Sequence, residues 1–180
     1  LRLTRLIDNL LESVRIESGQ LGIRRQPVEL AQVVEDAQEL IAGLLTQRRQ
    51  TLRVELPADL PILQADAQRL TQVVTNLLAN ANKFAPDGSE IVVGAAATPG
   101  GDLGFWIEDA GPGVPEGDGG SIFERFYRSA DQEPEPRGLG LGLWIVKSIV
   151  DRHGGRIGVE RTAAGRTRFT VTMPMSEAAE

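Results

Sequence analysis

Apolar and polar positions recur along this chain with two different periods, and the switches between them mark out its elements. Leu3, Ile7, Leu10 and Val14 repeat at four–three–four spacing, with Leu6 and Leu11 beside them, which predicts a helix carrying a two-heptad apolar seam. So short a helix is marginal alone and wants a partner. It is expected to end near Glu17-Ser-Gly-Gln20. A short extended piece, Leu21 to Arg25, leads to a second amphipathic helix at about Leu30 to Arg48. Leu52 to Leu56 alternates as a strand does, and Pro57 and Pro61 punctuate the turn behind it. The third helix is the best delimited. Asp66 supplies its N-cap, the run reaches Phe84, and Pro86-Asp-Gly88 turns the chain.

Period two returns over Glu90 to Ala97 and Asp102 to Glu108, joined by Pro99-Gly-Gly101 as a hairpin. Residues from about 110 to 137 are rich in glycine, proline and charge, interrupted by Ile122-Phe-Glu-Arg-Phe-Tyr127. A loop of that length in a compact domain is more often a functional lid than a connector. A fourth helix, about Leu139 to His153, stops at Gly154-Gly155. Ile157 to Arg161 and Arg168 to Met173 then make a last hairpin around Ala164-Gly165. Helices alternate with hairpins. The predicted class is α+β, a two-layer sandwich in which one mixed sheet is covered on one face by helices.

Composition narrows the chemistry. The chain has 180 residues, 41% apolar and 24% charged, as ordinary globular domains do. A net charge of −6 argues against a general nucleic-acid surface. The absence of cysteine removes disulfides and thiolate chemistry, and a single histidine rules out a multi-histidine metal site. No apolar run approaches the ~20 residues of a membrane span. The chain opens at Leu1 in mid-pattern without methionine, as a piece of a longer protein would.

Three segments carry candidate chemistry. Gly138, Gly140 and Gly142 alternate with leucines and run straight into the fourth helix. Glycines at a helix entrance let the backbone approach an anion, and the free N–H groups of the first turn point at it. The spacing matches neither the Walker-type loop nor the dinucleotide fingerprint. Tight helix–sheet packing is the competing explanation. On the third helix, Leu70, Val73, Val74, Leu77, Leu78 and Ala81 form one stripe. Arg69, Gln72, Asn76, Asn80 and Lys83 form another, within about 40° of Asn76 at ~100° per residue. That second stripe offers amides and cations but no carboxylate, which suits a triphosphate and a hard cation; a solvated polar face would look the same. Asp109-Ala-Gly-Pro-Gly-Val114 closes a strand. Its aspartate can accept from an exocyclic amine such as adenine's, or simply cap a turn.

Taken together these segments are far more specific. An Asn-x-x-x-Asn-x-x-Lys helix, then Asp-x-Gly-x-Gly, then Ile122-Phe-Glu-Arg-Phe-Tyr-Arg128, then Gly-x-Gly-x-Gly before a helix resembles the N, G1, F and G2 boxes of sensor histidine kinases. Asn76-Leu-Leu-Ala-Asn-Ala-Asn-Lys-Phe84 and Gly140-Leu-Gly-Leu-Trp-Ile-Val-Lys147 resemble family sequence throughout. The resemblance implies the catalytic ATP-binding domain of the GHKL superfamily over residues 21–176, with its lid at about 114–137. It implies that residues 1–20 are the end of the second helix of the dimerisation and histidine-phosphotransfer hairpin.

Carried over by residue, the resemblance gives Asn80 to Mg²⁺ and Asn76 and Lys83 to the phosphates of ATP. Asp109 takes the adenine amine in a pocket shaped by Gly111 and Gly113. Phe123 and Phe126 anchor the lid, Arg128 is a γ-phosphate contact, and Gly138, Leu139, Gly140, Leu141 and Gly142 supply the phosphate-side backbone. The implied reaction passes the γ-phosphoryl of Mg·ATP to a histidine, chiefly by positioning and charge neutralisation. The implied partners are the upstream hairpin, a second copy in a homodimer and, indirectly, a response-regulator receiver domain, with no nucleic acid. The implied location is cytoplasmic, with anchoring of the parent in the inner membrane left open. Leu139 and Trp144 stand where the family more often has smaller residues. An ATP-binding module that only docks partners, or another ATPase of the superfamily, are the alternatives. His153, the lone histidine, ends a helix where the dipole favours an imidazolium, and reads as a cap rather than as the phosphoacceptor.

Overall fold

The computed structural model describes residues 2–115, 117–127 and 139–175, with side chains from residue 7 onward. The first helix, α1 (Arg2–Glu17), precedes a short strand β1 (Gln26–Val28) and the helix α2 (Leu30–Gln47). Strands β2 (Thr51–Glu55) and β3 (Leu63–Ala65) lead to α3 (Ala67–Phe84), then to the hairpin β4 (Glu90–Ala97) and β5 (Leu103–Asp109). A single 3₁₀ turn spans Ser121–Phe123, and α4 (Gly142–Arg152) is followed by the hairpin β6 (Arg156–Arg161) and β7 (Thr167–Met173).

Five strands form one sheet in the order β2-β4-β5-β7-β6, parallel at β2/β4 and antiparallel elsewhere. The pleat sends Ile91, Val93 and Ala95 of β4, Leu103, Phe105 and Ile107 of β5, and Phe169, Val171 and Met173 of β7 to one buried face. Onto it pack the predicted apolar stripe of α3, buried at all six positions, and Ile145, Val146, Ile149 and Val150 of α4. Burial of a Leu- or Ile-sized side chain stabilises by about 1.5–3 kcal/mol, so this interlayer core holds the domain. The opposite face is charged and pleated outward: Arg168 pairs with Glu108 at 2.7 Å and lies 5.3 Å from the Trp106 ring.

Both ends of α3 are fastened. Asp66 Oδ1 accepts from the Arg69 N–H at 3.1 Å, the predicted cap, while its Oδ2 accepts from the Arg24 N–H at 2.9 Å. At the far end, Gln50 Nε2 donates to the Ala85 and Pro86 carbonyls, and Arg48 Nη1 donates to those of Asn82 and Lys83. Buried Asn82 closes the knot by donating to Leu44 O at 3.1 Å and Gln50 Oε1 at 2.7 Å.

Two expectations change, and a third falls largely outside the described residues. The strands β1 and β3 pair antiparallel as a separate two-stranded sheet, Pro27 opposite Gln64, which three-residue runs around prolines conceal. The fourth helix begins at Gly142 rather than Leu139, because Gly140 sits at φ +68 and a left-handed residue cannot continue into a right-handed helix. The anticipated lid is described only as far as Tyr127; residues 128–138 lie outside the described residues.

Candidate functional site

The polar stripe of α3 forms one wall. Its N-terminal end is taken: Arg69 is ion-paired with the buried Glu12 of α1 and donates to Gln72 Oε1 at 3.1 Å. The stripe therefore narrows to Asn76, Asn80 and Lys83, all half-buried. Asn76 Nδ2 is buried with no hydrogen-bond partner among the described residues. Leaving such a donor unmatched costs about 1–3 kcal/mol, so this amide has the capacity to take an acceptor that the described residues do not supply. Lys83 Nζ stands 4.6 Å from the centre of the Phe84 ring, which ties the cation to the helix end.

The second wall is the end of β5. Asp109 is 2% exposed and faces the interlayer space opposite Thr167. Its Oδ1 accepts from the Gly111 N–H at 2.6 Å. Burial pushes its carboxyl from the ordinary 3.8 up to about 6, against the opposing pull of that N–H and of Arg166, with Glu108 adding to the rise. A Cβ at Gly111 would lie 2.5 Å from Asp109 Oδ1 and 3.3 Å from Phe84 O, so only glycine lets this turn close against the end of α3. Gly113, at φ +86, is roofed by Arg161, which donates to Pro112 O. The Asp109–Gly111 turn thus meets the end of α3 at Phe84.

The glycine loop leads into α4. Gly140 O accepts from the Phe126 N–H at 3.0 Å, and Leu141 is buried beneath. Gly142 opens α4 with no side-chain cap, and a Cβ there would meet nothing within 4 Å. The first-turn N–H groups are unmatched by the helix itself and favour an anion. Leu139 is half-exposed. Of the expected lid anchors, Phe123 is buried edge-on to Phe169, with ring centres 6.3 Å apart. Phe126 instead leaves its ring half-exposed and is held by its backbone at φ +62. Arg128 and Gly138 lie outside the described residues. Among the described residues no three His, Asp or Glu side chains converge as a metal site, so a cation here would rely on amide and phosphate oxygens.

His153 corrects an expectation. It does cap α4, but it is buried and neutral. Its Nδ1 lies 2.8 Å from Ile149 O and its Nε2 accepts from the Asp66 N–H at 3.0 Å, which fixes the Nδ1–H tautomer. Burial lowers its pKa from 6.5 and outweighs both the Ile149 hydrogen bond and the Asp66 charge, while Arg25 lowers it further. The helix dipole loses to desolvation. An unfolded histidine protonates below about 6.5 and the folded one resists, so the stability that His153 contributes is complete above that pH and shrinks below it. The stability gap between the wild type and His153→Gln is expected to narrow between pH 7.5 and 5.5 in denaturant titrations; a constant gap would refute the buried neutral ring.

Comparison with known proteins bears on this geometry. The sequence pattern described as histidine kinase-, DNA gyrase B-, and HSP90-like ATPase matches residues 65–177, from the end of β3 past the end of β7. The chain belongs to this ATPase family. Its relatives include sensor protein KdpD of Escherichia coli (strain K12), 36% identical over 180 residues, covering 100% of this chain and 20% of that protein. Another is the signal transduction histidine-protein kinase/phosphatase MprB of Mycobacterium sp. (strain KMS), 35% identical over 96% of this chain and 33% of its own length. The chain therefore spans a fifth to a third of these relatives. Full-length ShkA in complex with AMPPNP superposes with a TM-score of 0.83 at 28% identity, covering 99% of this chain and 37% of that one. The mycobacterial sensor histidine kinase MprB gives 0.72 at 30% identity, covering 84% and 97%. The fold is that of the histidine-kinase branch of this ATPase family. Among the described residues no helix is long and apolar enough to cross a membrane.

Proposed function

We propose that this chain is the ATP-binding catalytic part of a two-component sensor histidine kinase, with residues 1–20 closing the dimerisation and phosphotransfer hairpin. The observation that carries the reading is the meeting of the buried Asp109–Gly111 turn with the end of the Asn76–Lys83 helix at Phe84. In this reading Asp109 accepts from the adenine amine, where guanine would present a carbonyl to a carboxylate. Lys83 and the unmatched Asn76 amide take phosphate oxygens, and the backbone of Gly140, Leu141 and Gly142 takes the remaining charge. The donor set also fits Mg²⁺: Asn80 offers an amide oxygen with no carboxylate competing, and the ion, when bound, would neutralise phosphate charge. The names of sensor protein KdpD and histidine-protein kinase/phosphatase MprB and the AMPPNP complex of ShkA support the reading.

The phosphoryl acceptor belongs to an upstream hairpin. His153 has both ring nitrogens engaged inside the core, and in-line transfer needs a nitrogen within about 3–3.5 Å of the γ-phosphorus. A second copy of the hairpin would complete a homodimer, and a response-regulator receiver domain would take the phosphoryl group onward. With labelled ATP and a separately supplied family hairpin, acid-labile label is expected on the hairpin and none on this chain. Label on His153 would overturn the account of the acceptor. Tight ATP binding with no transfer would favour a docking module.

A further inference from the structure

Arg125 lies in the segment before the undescribed stretch, yet its bonds run to α1. Its Nη1 is ion-paired with Glu17 and its Nη2 donates to the buried Ser13 Oγ at 3.3 Å. The guanidinium lies 4.6 Å from the Phe126 ring centre and 5.5 Å from that of Trp144 on α4. Its Nε is buried without a hydrogen-bond partner among the described residues. A cation held between two aromatic faces and a carboxylate is fixed in position rather than solvated. The next residue, Phe126, adopts the left-handed region at φ +62 and hands its N–H to Gly140 O at 3.0 Å. A continuous path of contacts therefore runs from α1 through Arg125 and the Phe126 backbone to the glycine loop at the start of α4.

We propose that Arg125 is a positioning residue through which α1 sets the nucleotide affinity of the glycine loop. This rests on the ATP-site reading above. With the staple intact, Phe126 keeps its costly backbone and Gly140 is held ready; without it, binding must first order that loop. The large Trp144 ring shelves the guanidinium from the α4 side, which a small residue at that position could not do. The coupling is a property of this chain's own residues: Ser13 and Glu17 on α1, and Arg125, Phe126, Gly140 and Trp144 around the loop.

The test is a double-mutant cycle on the full chain, read by calorimetric ATP affinity and by thermal midpoint. Arg125→Ala and Glu17→Gln are each expected to weaken ATP binding about five-fold, the low end of ordinary coupling between sites. The double variant should be no weaker than Arg125→Ala alone, because both changes cut the same link. Glu17 is half-exposed, so its amide variant keeps the fold and its midpoint should barely move. Unchanged affinity in Glu17→Gln, or additive losses in the double variant, would overturn the coupling. A folded wild-type chain that binds no ATP at all would instead defeat the nucleotide reading on which the coupling rests.

Discussion

Asp109→Asn is expected to weaken ATP binding by about 10- to 100-fold, to erase the preference for ATP over GTP, and to make the ligand-free chain more resistant to heat. The first two effects follow from geometry. Asp109 is buried at the end of β5 with one oxygen already accepting the Gly111 N–H. The remaining acceptor is what an adenine amine would meet. An asparagine there can turn its NH₂ toward that amine, and a buried donor without an acceptor costs about 1–3 kcal/mol. The third effect follows from linkage. A carboxyl raised from 3.8 to about 6 stabilises the folded chain at low pH, and that contribution is lost as pH rises through 6. At pH 7 the fold therefore carries an ionised buried carboxylate at a penalty on the order of 3 kcal/mol, which an amide does not incur. The gain in melting temperature should be clear at pH 7 and gone near pH 4. Calorimetry with ATP and GTP and melting curves at both pH values check all three. Equal ATP and GTP affinity in the wild type would sink the adenine assignment.

Gly140→Ala should damage the site as severely and, unlike Asp109→Asn, the fold with it. The residue sits at φ +68, and its Cβ would be 2.5 Å from Tyr127 O and 2.9 Å from Phe126 C. Both neighbours are backbone, so neither yields as a flexible side chain would. Left-handed strain adds about 1–2 kcal/mol. Relief requires breaking the Phe126 N–H bond to Gly140, which leaves the loop unsupported. A loss of ATP affinity of tenfold or more, together with a lower melting temperature, is expected. Gly142→Ala is the control, because a Cβ there has open space and alanine favours the helix by up to about 1 kcal/mol. It should keep or raise the melting temperature while still obstructing an anion. Equal thermal losses in the two variants would show that the loop is not built as described.

The sequence made some of this legible and hid the rest for physical reasons. Strong period and explicit caps exposed α3: Asp66 caps it, and every residue of the predicted apolar stripe is buried. The β4–β5 and β6–β7 hairpins were equally plain from alternation and turn glycines. The parallel pairing of β2 with β4 was not, since nothing local encodes which distant strand an edge strand joins. The spacing presents the stripe on α3 as one surface, but Arg69 is drawn off by Glu12, a carboxylate 57 residues away in sequence. His153 misled for a related reason. Helix position argues for a charged ring, and only the tertiary structure reveals the burial that keeps it neutral. The unmatched Asn76 amide, by contrast, belongs to a residue the sequence had already singled out.

The helix that presents Asn76, Asn80 and Lys83 is tied at its front by Asp66 and at its back by Arg48, Gln50 and Asn82. A rod clamped at both ends does not change its pitch or slide to suit a guest. In the proposed reading the amides are met where they stand, so any ordering that accompanies a nucleotide would fall on the glycine loop and the Phe126 junction. Adaptation in this domain is then one-sided.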